Sequence, residues 1–313
     1  MPHDLAIVIR TSGERTQEEC LRLVERQGLN VPISVIAEKP FERALIKTYE
    51  IGVTAGRRWT MTIDGDVLAR EGAAARLLAA AKDMPADYAQ IEGYVLDKLL
   101  GIYRYAGHRI YRTELLAKAA ELVPPPGQQI RPEFHTLQRL AALGYRSRRV
   151  SVVFGIHDYQ QYYRDVYRKG IVHGRKHREL ASAYMQRTST ELGDDPDFRV
   201  LRRALRDVEQ NVSTSPERVL QKLSLTEKPP LGKLGDSFLY VENVLRGAGA
   251  PNIVPPYDLL SDGEWGGPAE TKPARWKGSV VDIAARRLRS DAGDLWRRFS
   301  SRLLQVACVL PLT

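Results

Sequence analysis

Short apolar runs alternate with stretches of helical periodicity along residues 1–155. Continuous apolar runs are typical of strands buried on both faces of a sheet, and the first of them predict strands at Leu5–Ile9, Ile33–Ala37 and Trp59–Ile63. Apolar residues at helical spacing predict helices at Thr16–Gln27, Phe41–Ala55 and Gly72–Ala81. This alternation predicts an α/β fold in which a mostly parallel central sheet is flanked by helices.

The alternation of predicted strands and helices continues to about Tyr159, and the pattern then changes. Further strands are predicted at Tyr88–Tyr94, Ile110–Arg112 and Arg149–Phe154, and further helices at Thr113–Leu122 and Pro132–Leu143. Beyond them, helical patterns cover residues 159–187, 197–209, 237–245 and 279–304, while the many Pro and Gly residues of 228–273 indicate loop. We therefore expect one domain over residues 1–158 and a largely helical, loop-rich extension over residues 159–313.

Composition narrows the class of protein. The 313 residues carry 47 basic and 38 acidic side chains, a net charge of +9, which suits phosphorylated, nucleic-acid or anionic lipid partners. The two cysteines, Cys20 and Cys308, are too few for a disulfide framework or a cysteine-based zinc cluster. No apolar run reaches the roughly 18 residues of a membrane-spanning helix, and the N-terminus lacks a signal-peptide pattern. These features predict a cytoplasmic protein.

Polar residues follow three of the predicted strands. Ligands of such sheets bind outside the carboxyl ends of the strands, where this chain has Arg10-Thr11, Glu38 and Asp64-Gly65-Asp66. A turn after the third strand can aim both carboxylates into one crevice, and hard divalent cations favour oxygen ligands. The alternative is an ordinary turn, because Asp and Gly are common in turns.

Two further residues have a chemical and a purely structural interpretation. His157 follows the last predicted strand and is either a metal ligand or a loop histidine with a backbone partner. Glu133 begins the helix at Pro132–Leu143, where the helix dipole alone favours a carboxylate. Its functional interpretation is a general base that deprotonates an acceptor hydroxyl.

Three segments together resemble the GT-A-fold glycosyltransferases, near their family 2 group. The segment LAIVIRT resembles the opening strand, AGRRWTMTIDGDV resembles the strand with its DxD motif, and RPEFHTLQRLAALGY resembles the xED segment. The chain departs from the pattern in two places. It has Pro132-Glu133 where the family has Glu-Asp, and it has Glu38 where an Asp is usual. The resemblance covers residues 4–160, about half of the chain.

The resemblance implies a metal-dependent glycosyltransferase of the inverting type that serves glycan or polysaccharide biosynthesis. It implies a nucleotide-diphospho-sugar donor that contacts Arg10, Thr11, Glu38 and Asp64. It implies Mn²⁺ or Mg²⁺ held by Asp64, Asp66 and His157. Glu133 takes the place of the catalytic base, and the acceptor is a glycan, a lipid-linked glycan or a protein.

Two other classes remain open from the sequence. A sugar-phosphate nucleotidyltransferase also uses paired aspartates, but its Gly-rich signature is reduced here to Ser12-Gly13-Glu14-Arg15. A non-enzymatic basic protein that binds nucleic acid or membrane is the other class. Basic residues interleave with tyrosines over 159–178, which we interpret as a solvated helix rather than a nucleic-acid site. Residues 286–304 form a basic amphipathic pattern, which predicts either a docked terminal helix or peripheral contact with the inner membrane face.

Overall fold

The computed structural model describes residues 4–176 and 195–247. These residues form two units, the first of residues 4–159 and 233–242 and the second of residues 160–176, 195–232 and 243–247. The strands are β1 Leu5–Arg10, β2 Ile33–Ile36, β3 Trp59–Asp64, β4 Val67–Ala69, β5 Tyr88–Asp97, β6 Ile102–Arg104, β7 His108–Arg112 and β8 Arg146–His157. The helices are α1 Gln17–Glu25, α2 Phe41–Ala55, α3 Ala73–Lys82, α4 Leu116–Glu121, α5 Pro132–Ala142, α6 Tyr163–Lys176, α7 Pro196–Glu209, α8 Pro216–Lys222 and α9 Ser237–Gly247, with a 3-10 helix at Thr113–Leu115.

The strands form one mixed sheet in the order β2-β1-β3-β7-β5-β8-β4, with β6 paired to β5. Strand β1 is parallel to β2 and β3, and β5 is parallel to β8, whereas β7 is antiparallel to both β3 and β5. Strand β4 is antiparallel to β8. The α/β class is confirmed, but the prediction of a mostly parallel sheet is wrong. No helix lies between β5 and β7, and a parallel pairing of these two strands would need such a crossover.

The apolar runs become the buried strands that the sequence predicts. Every residue of β1 is buried, as are Trp59, Met61 and Ile63 of β3. Helices α2, α4 and α5 pack on one face of the sheet around a cluster that includes Leu45, Tyr49, Tyr111, Leu116 and Leu140. This packing brings the first turn of α5 against the central strands, and the candidate site lies there.

Strands β5 and β8 are longer than their apolar patterns predict. Strand β5 extends to Asp97, and β8 runs from Arg146 to His157. The added residues include Asp97, Arg146, Arg148 and His157, and Asp97 is the register partner of His157. Charged residues in a half-apolar stretch weaken the hydrophobic pattern, so the sequence hid these ends of the strands.

The second unit is helical in its described part. Gly170 of α6 lets the helix approach α7, because a Cβ at this position would lie 2.5 Å from the Cβ of Ala204. The hydroxyl of Tyr167 donates to Asp207 at 2.7 Å, and Tyr167 is buried. Residues 177–187 of the predicted helix and the amphipathic stretch 286–304 lie outside the described residues. Within the described part of the chain, no helix is both long and apolar enough to cross a membrane.

Candidate functional site

An ion pair joins the ends of β1 and β3. Arg10 and Asp64 are register partners, and Nε and Nη2 of Arg10 each lie 2.8 Å from Oδ1 of Asp64. The turn that follows is fixed on both sides, since the Gly65 N–H donates to the Arg10 carbonyl and the Thr16 hydroxyl donates to the Gly65 carbonyl. The buried Cys20 thiol lies 3.6 Å from the Asp64 carbonyl. The Asp64 carboxylate is therefore held toward Arg10.

Asp66, His157 and Asp158 come together beyond this turn, and we call them the His157 triad. All three are buried, and one potential ligand atom of each lies within 4.8 Å of the others. The antiparallel pairing of β4 with β8 sets Val67 opposite His157, and the Asp158 N–H donates to the Asp66 carbonyl at 3.3 Å. Two carboxylates and an imidazole are a suitable donor set for a divalent cation. The triad contains Asp158, whereas the predicted ligand Asp64 lies outside it.

Asp97 lies behind the triad and orients the imidazole. Nδ1 of His157 lies 3.0 Å from Oδ2 of Asp97, and Nε2 lies 3.4 Å from Oδ1 of Asp66. Asp97 is fully buried and accepts from Nε of Arg104 at 2.5 Å and from the Leu100 N–H at 2.8 Å. A metal-binding histidine typically donates its second ring N–H to a carboxylate. The geometry therefore matches a liganding nitrogen directed toward Asp66, although Nδ1 also lies 3.0 Å from Asp158.

Gly107 makes room for the His157 ring. Its φ is +71°, and a Cβ there would lie 2.5 Å from Cγ2 of Val67 and 3.1 Å from Cδ2 of His157. The Gly107 carbonyl accepts from the Asp64 N–H at 2.7 Å. A side chain at position 107 would therefore strain the backbone and press on the triad.

Glu133 is enclosed by two arginines and a tyrosine. Arg10 Nη1 donates to its Oε1 at 2.9 Å, the Tyr111 hydroxyl donates to the same oxygen at 2.8 Å, and Arg109 pairs with Oε2. Burial alone would raise the pKa of Glu133, but the charges of Arg10 and Arg109 lower it to about 2. A carboxylate with so low a pKa is a weak base near neutral pH.

The Glu133 contacts belong to a longer set of ion pairs that we call the ion-pair chain. Arg109 also pairs with Glu92 at 3.0 Å, and Arg149 pairs with the other oxygen of Glu92 at 3.1 Å. Acid and base thus alternate from the end of β3 to the middle of β8, in the order Asp64, Arg10, Glu133, Arg109, Glu92, Arg149. Burial raises the pKa of Asp64, Arg10 opposes this, and Asp66 and Glu133 add to it, which leaves a pKa of about 6.

The remaining predicted nucleotide ligands lie at the same edge of the sheet. Thr11 follows β1, and its N–H donates to the Ile36 carbonyl at the end of β2. The Thr11 hydroxyl lies 2.6 Å from a carboxylate oxygen of Glu14. Glu38 is exposed two residues beyond the end of β2. The parallel pairing of β1 with β2 therefore brings Arg10, Thr11 and Glu38 to neighbouring strand ends.

Sequence reasoning missed two acidic residues of the site, Asp97 and Asp158. Asp97 is 60 residues from His157 in the chain, and their contact depends on the parallel pairing of β5 with β8. Asp158 directly follows His157 and has a φ of +64°, an uncommon conformation outside glycine. The His-Asp pair at the end of an apolar strand was the available signal for Asp158. No comparable pattern marks Asp97.

No protein-family model matches the chain, and no curated protein matches it. Solved structures of similar shape include transferases. One is a mannosyltransferase from Pyrobaculum calidifontis in complex with GDP-Man and Mn²⁺, with 12% identity, a TM-score of 0.42, and coverage of 98% of this chain and 88% of that chain.

Two further structures each match half of this chain. A glycosyltransferase involved in the glycosylation of the major capsid of PBCV-1 has 12% identity and a TM-score of 0.36, with 50% of this chain and 93% of that chain covered. A 4-diphosphocytidyl-2C-methyl-D-erythritol synthase from Anaerococcus prevotii has 10% identity and a TM-score of 0.35, with coverages of 50% and 90%. Glycosyltransferases and nucleotidyltransferases are thus both among the structural neighbours.

Proposed function

We propose that the protein is a metal-dependent glycosyltransferase that moves a sugar from a nucleotide-diphospho-sugar to an acceptor hydroxyl. The observation that carries the proposal is the His157 triad beside the Arg10–Asp64 pair, at the end of a buried strand. This is the edge of the sheet where α/β folds bind nucleotides. The resemblance of the same segments to the GT-A-fold enzymes supports a sugar nucleotide as the ligand.

The triad fits the metal that the resemblance implies. Asp66 and Asp158 offer carboxylate oxygens, His157 offers a ring nitrogen, and Asp97 supports that ring from behind. Oxygen ligands suit both Mg²⁺ and Mn²⁺, and the imidazole favours Mn²⁺. When bound, the ion would supply Lewis-acid stabilisation to the departing diphosphate. Asp64 was also predicted as a ligand; that role remains a prediction, and its pairing with Arg10 favours a supporting one.

We assign the donor nucleoside to the neighbouring strand ends. Arg10 ends β1 and Thr11 follows it, and we assign to the exposed Glu38 carboxylate a hydrogen bond from the base or the ribose. Arg10 is buried and bonded to both Asp64 and Glu133, so it serves this site mainly by holding Asp64 in place.

The role of Glu133 as general base remains a prediction of the resemblance. Its contacts argue for a different part, because both oxygens already accept hydrogen bonds and its pKa is about 2. We propose that Glu133 is a positioning residue that fixes Arg10 and, through it, Asp64. An inverting outcome does not depend on this assignment, since a different base can deprotonate the acceptor.

A panel of UDP-, GDP-, dTDP- and CMP-sugars tests the proposal. The melting temperature and the release of nucleotide are measured with and without MnCl₂. At least one donor is expected to stabilise the protein when Mn²⁺ is present, by about 2.7 kcal/mol at a concentration one hundred times its Kd. The same measurements on Asp66→Ala test the role of the triad. Asp83→Ala is the control for that variant, because Asp83 is an exposed aspartate at the end of α3.

The proposal fails if no sugar nucleotide shifts the melting temperature in the presence of metal. It is also wrong if the protein releases pyrophosphate from a nucleoside triphosphate and a sugar phosphate. That second result would identify a nucleotidyltransferase using the same metal site.

A further inference from the structure

Four arginines from separate elements lie around the acidic residues of the candidate site. Arg104 lies on β6, Arg109 on β7 and Arg149 on β8, and Arg131 directly precedes α5. Arg131 lies two residues before Glu133, which pairs with Arg109, and Arg109 and Arg149 share the carboxylate of Glu92. We call this group the arginine cluster.

Three members of the cluster are held by carboxylates. Arg104 pairs with Asp97 at 2.5 Å, Arg149 pairs with Glu92 at 3.1 Å, and Arg109 pairs with both Glu92 and Glu133. Each guanidinium is therefore fixed in place by its carboxylate.

Arg131 differs from the other three members. It is exposed, and its guanidinium lies over the Phe134 ring, 4.9 Å from the ring centroid. No ion pair joins it to an acidic residue of the described chain. Its pKa is lowered by partial burial and by the positive charges of Arg104 and Arg109, which outweigh the opposite influence of Glu92. The cluster thus presents an uncompensated positive charge at its exposed side.

We propose that the arginine cluster binds a phosphate or carboxylate group of the substrate. Guanidinium groups form bidentate hydrogen bonds with such oxyanions, and arginines fixed in advance lose little entropy in binding them. An anion would also relieve the repulsion among the four like charges. The position of the subsite follows from Asp97, which contacts both Arg104 and His157 and so links the cluster to the triad.

This inference extends the proposed function, because it gives the substrate an anionic group near the metal. The group has two sources of the same chemistry. One is the diphosphate of the donor, and the other is a phosphate or carboxylate on the acceptor. Both would meet the cluster from the side of Arg131, the exposed member.

The test is a calorimetric titration of the full-length protein with inorganic phosphate, without metal or nucleotide and at constant ionic strength. Arg131→Gln is compared with the wild type and with Arg43→Gln, which removes an exposed arginine of α2. Arg131→Gln is expected to raise the phosphate Kd about tenfold, since a hydrogen bond to a charged group contributes at least that much. The melting temperature without phosphate is expected to stay at the wild-type value in both variants.

The inference is overturned if the wild type does not bind phosphate, or if Arg131→Gln binds it as the wild type does. Repeating the titration with GDP or UDP and MnCl₂ present identifies the source of the anion. Competition assigns the cluster to the donor diphosphate, and simultaneous binding assigns it to the acceptor. A protein that binds phosphate through Arg131 but responds to no sugar nucleotide keeps the anion subsite and loses the glycosyltransferase proposal.

Discussion

The His157 triad and the ion-pair chain lie at the same end of the sheet but balance their charges differently. Around His157, the carboxylates of Asp66, Asp97 and Asp158 face one imidazole and the guanidinium of Arg104. In the ion-pair chain, every buried carboxylate lies between or beside arginines. Carboxylates in excess leave a place for a cation, whereas balanced pairs give a rigid support. The first region therefore suits the binding of a cation, and the buried carboxylates of the second suit the positioning of the arginines beside them.

The largest effect is expected from Asp66→Ala. The substitution removes a carboxylate of the triad and little packing, so sugar transfer and the Mn²⁺-dependent rise in melting temperature should both be lost while the fold remains. The release of nucleotide measures transfer, thermal melting with MnCl₂ measures the stabilisation, and circular dichroism checks the fold. Asp83→Ala should retain both. Near-normal turnover of Asp66→Ala in Mn²⁺ would show that the triad is not the metal site.

Asp97→Asn should weaken metal binding by about 10–100-fold, because carboxylates that orient a liganding histidine typically contribute that much. Calorimetric titration with MnCl₂ measures the affinity. The matched control is Asp87→Asn, which removes an aspartate–arginine pair of the same 2.5 Å length at an exposed position. Equal Mn²⁺ affinity in the two variants would leave Asp97 with a structural role only.

Glu133→Gln separates the positioning role from the role of a base. We expect the free energy of unfolding to fall by about 1–3 kcal/mol, since Arg10 and Arg109 lose a buried charged partner. We expect turnover at saturating donor to fall by less than the roughly 10²–10⁴-fold contribution of a general base. Glu42→Gln is the control, because Glu42 is a buried glutamate with a backbone partner in a different place. Unchanged stability with a large loss of turnover would restore the base.

The pH dependence of stability should follow the same carboxylate. The pKa of Glu133 is about 2 in the folded protein, against 4.5 as its ordinary value. Its stabilising contribution is therefore complete above about pH 4.5 and is lost as the pH falls toward 2. Urea unfolding at pH 7 and pH 3 should show the wild type losing part of its advantage over Glu133→Gln. A constant difference between the two proteins would contradict the assigned ion pairs.

The smallest effect is expected from Glu38→Ala. Loss of one exposed hydrogen bond to the nucleoside should raise the donor KM about 2–10-fold and leave the metal affinity unchanged. Glu25→Ala, an exposed glutamate at the end of α1, is the control. If the two substitutions have the same KM, the nucleoside does not contact the end of β2.

The sequence predicted the parts of the fold that depend on local pattern. The strands predicted from the apolar runs of β1 and β3 and the helices predicted from the periodicity of α2 and α5 are confirmed. Their burial depends on residues that are close together in the chain, so the local hydrophobic pattern is enough to predict them. The mixed direction of the sheet was not predicted, since it depends on how β7 enters between β3 and β5.

The residues of the candidate site also divide into those that a local sequence pattern predicts and those that it does not. Asp66 and His157 were predicted from their places after apolar strands, and the structure brings them together. Asp97 and Arg109 act through partners far away in the chain, and such contacts leave no local signature. The enclosure of Glu133 by arginines could not be predicted for the same reason. A carboxylate at a helix start has the same sequence pattern whether it faces solvent or two arginines.

The alkylation rate of the buried Cys20 thiol measures local opening at this end of the sheet. Its Sγ lies 3.6 Å from the Asp64 carbonyl, and burial together with the charges of Asp66 and Asp64 raises its pKa well above the ordinary value. A thiol in that state reacts with an alkylating reagent only when the surrounding strands open. In a Cys308→Ser background, the alkylation rate of Cys20 thus reports how often the end of β3, at Asp64, opens. Ligands that rigidify it should slow that rate.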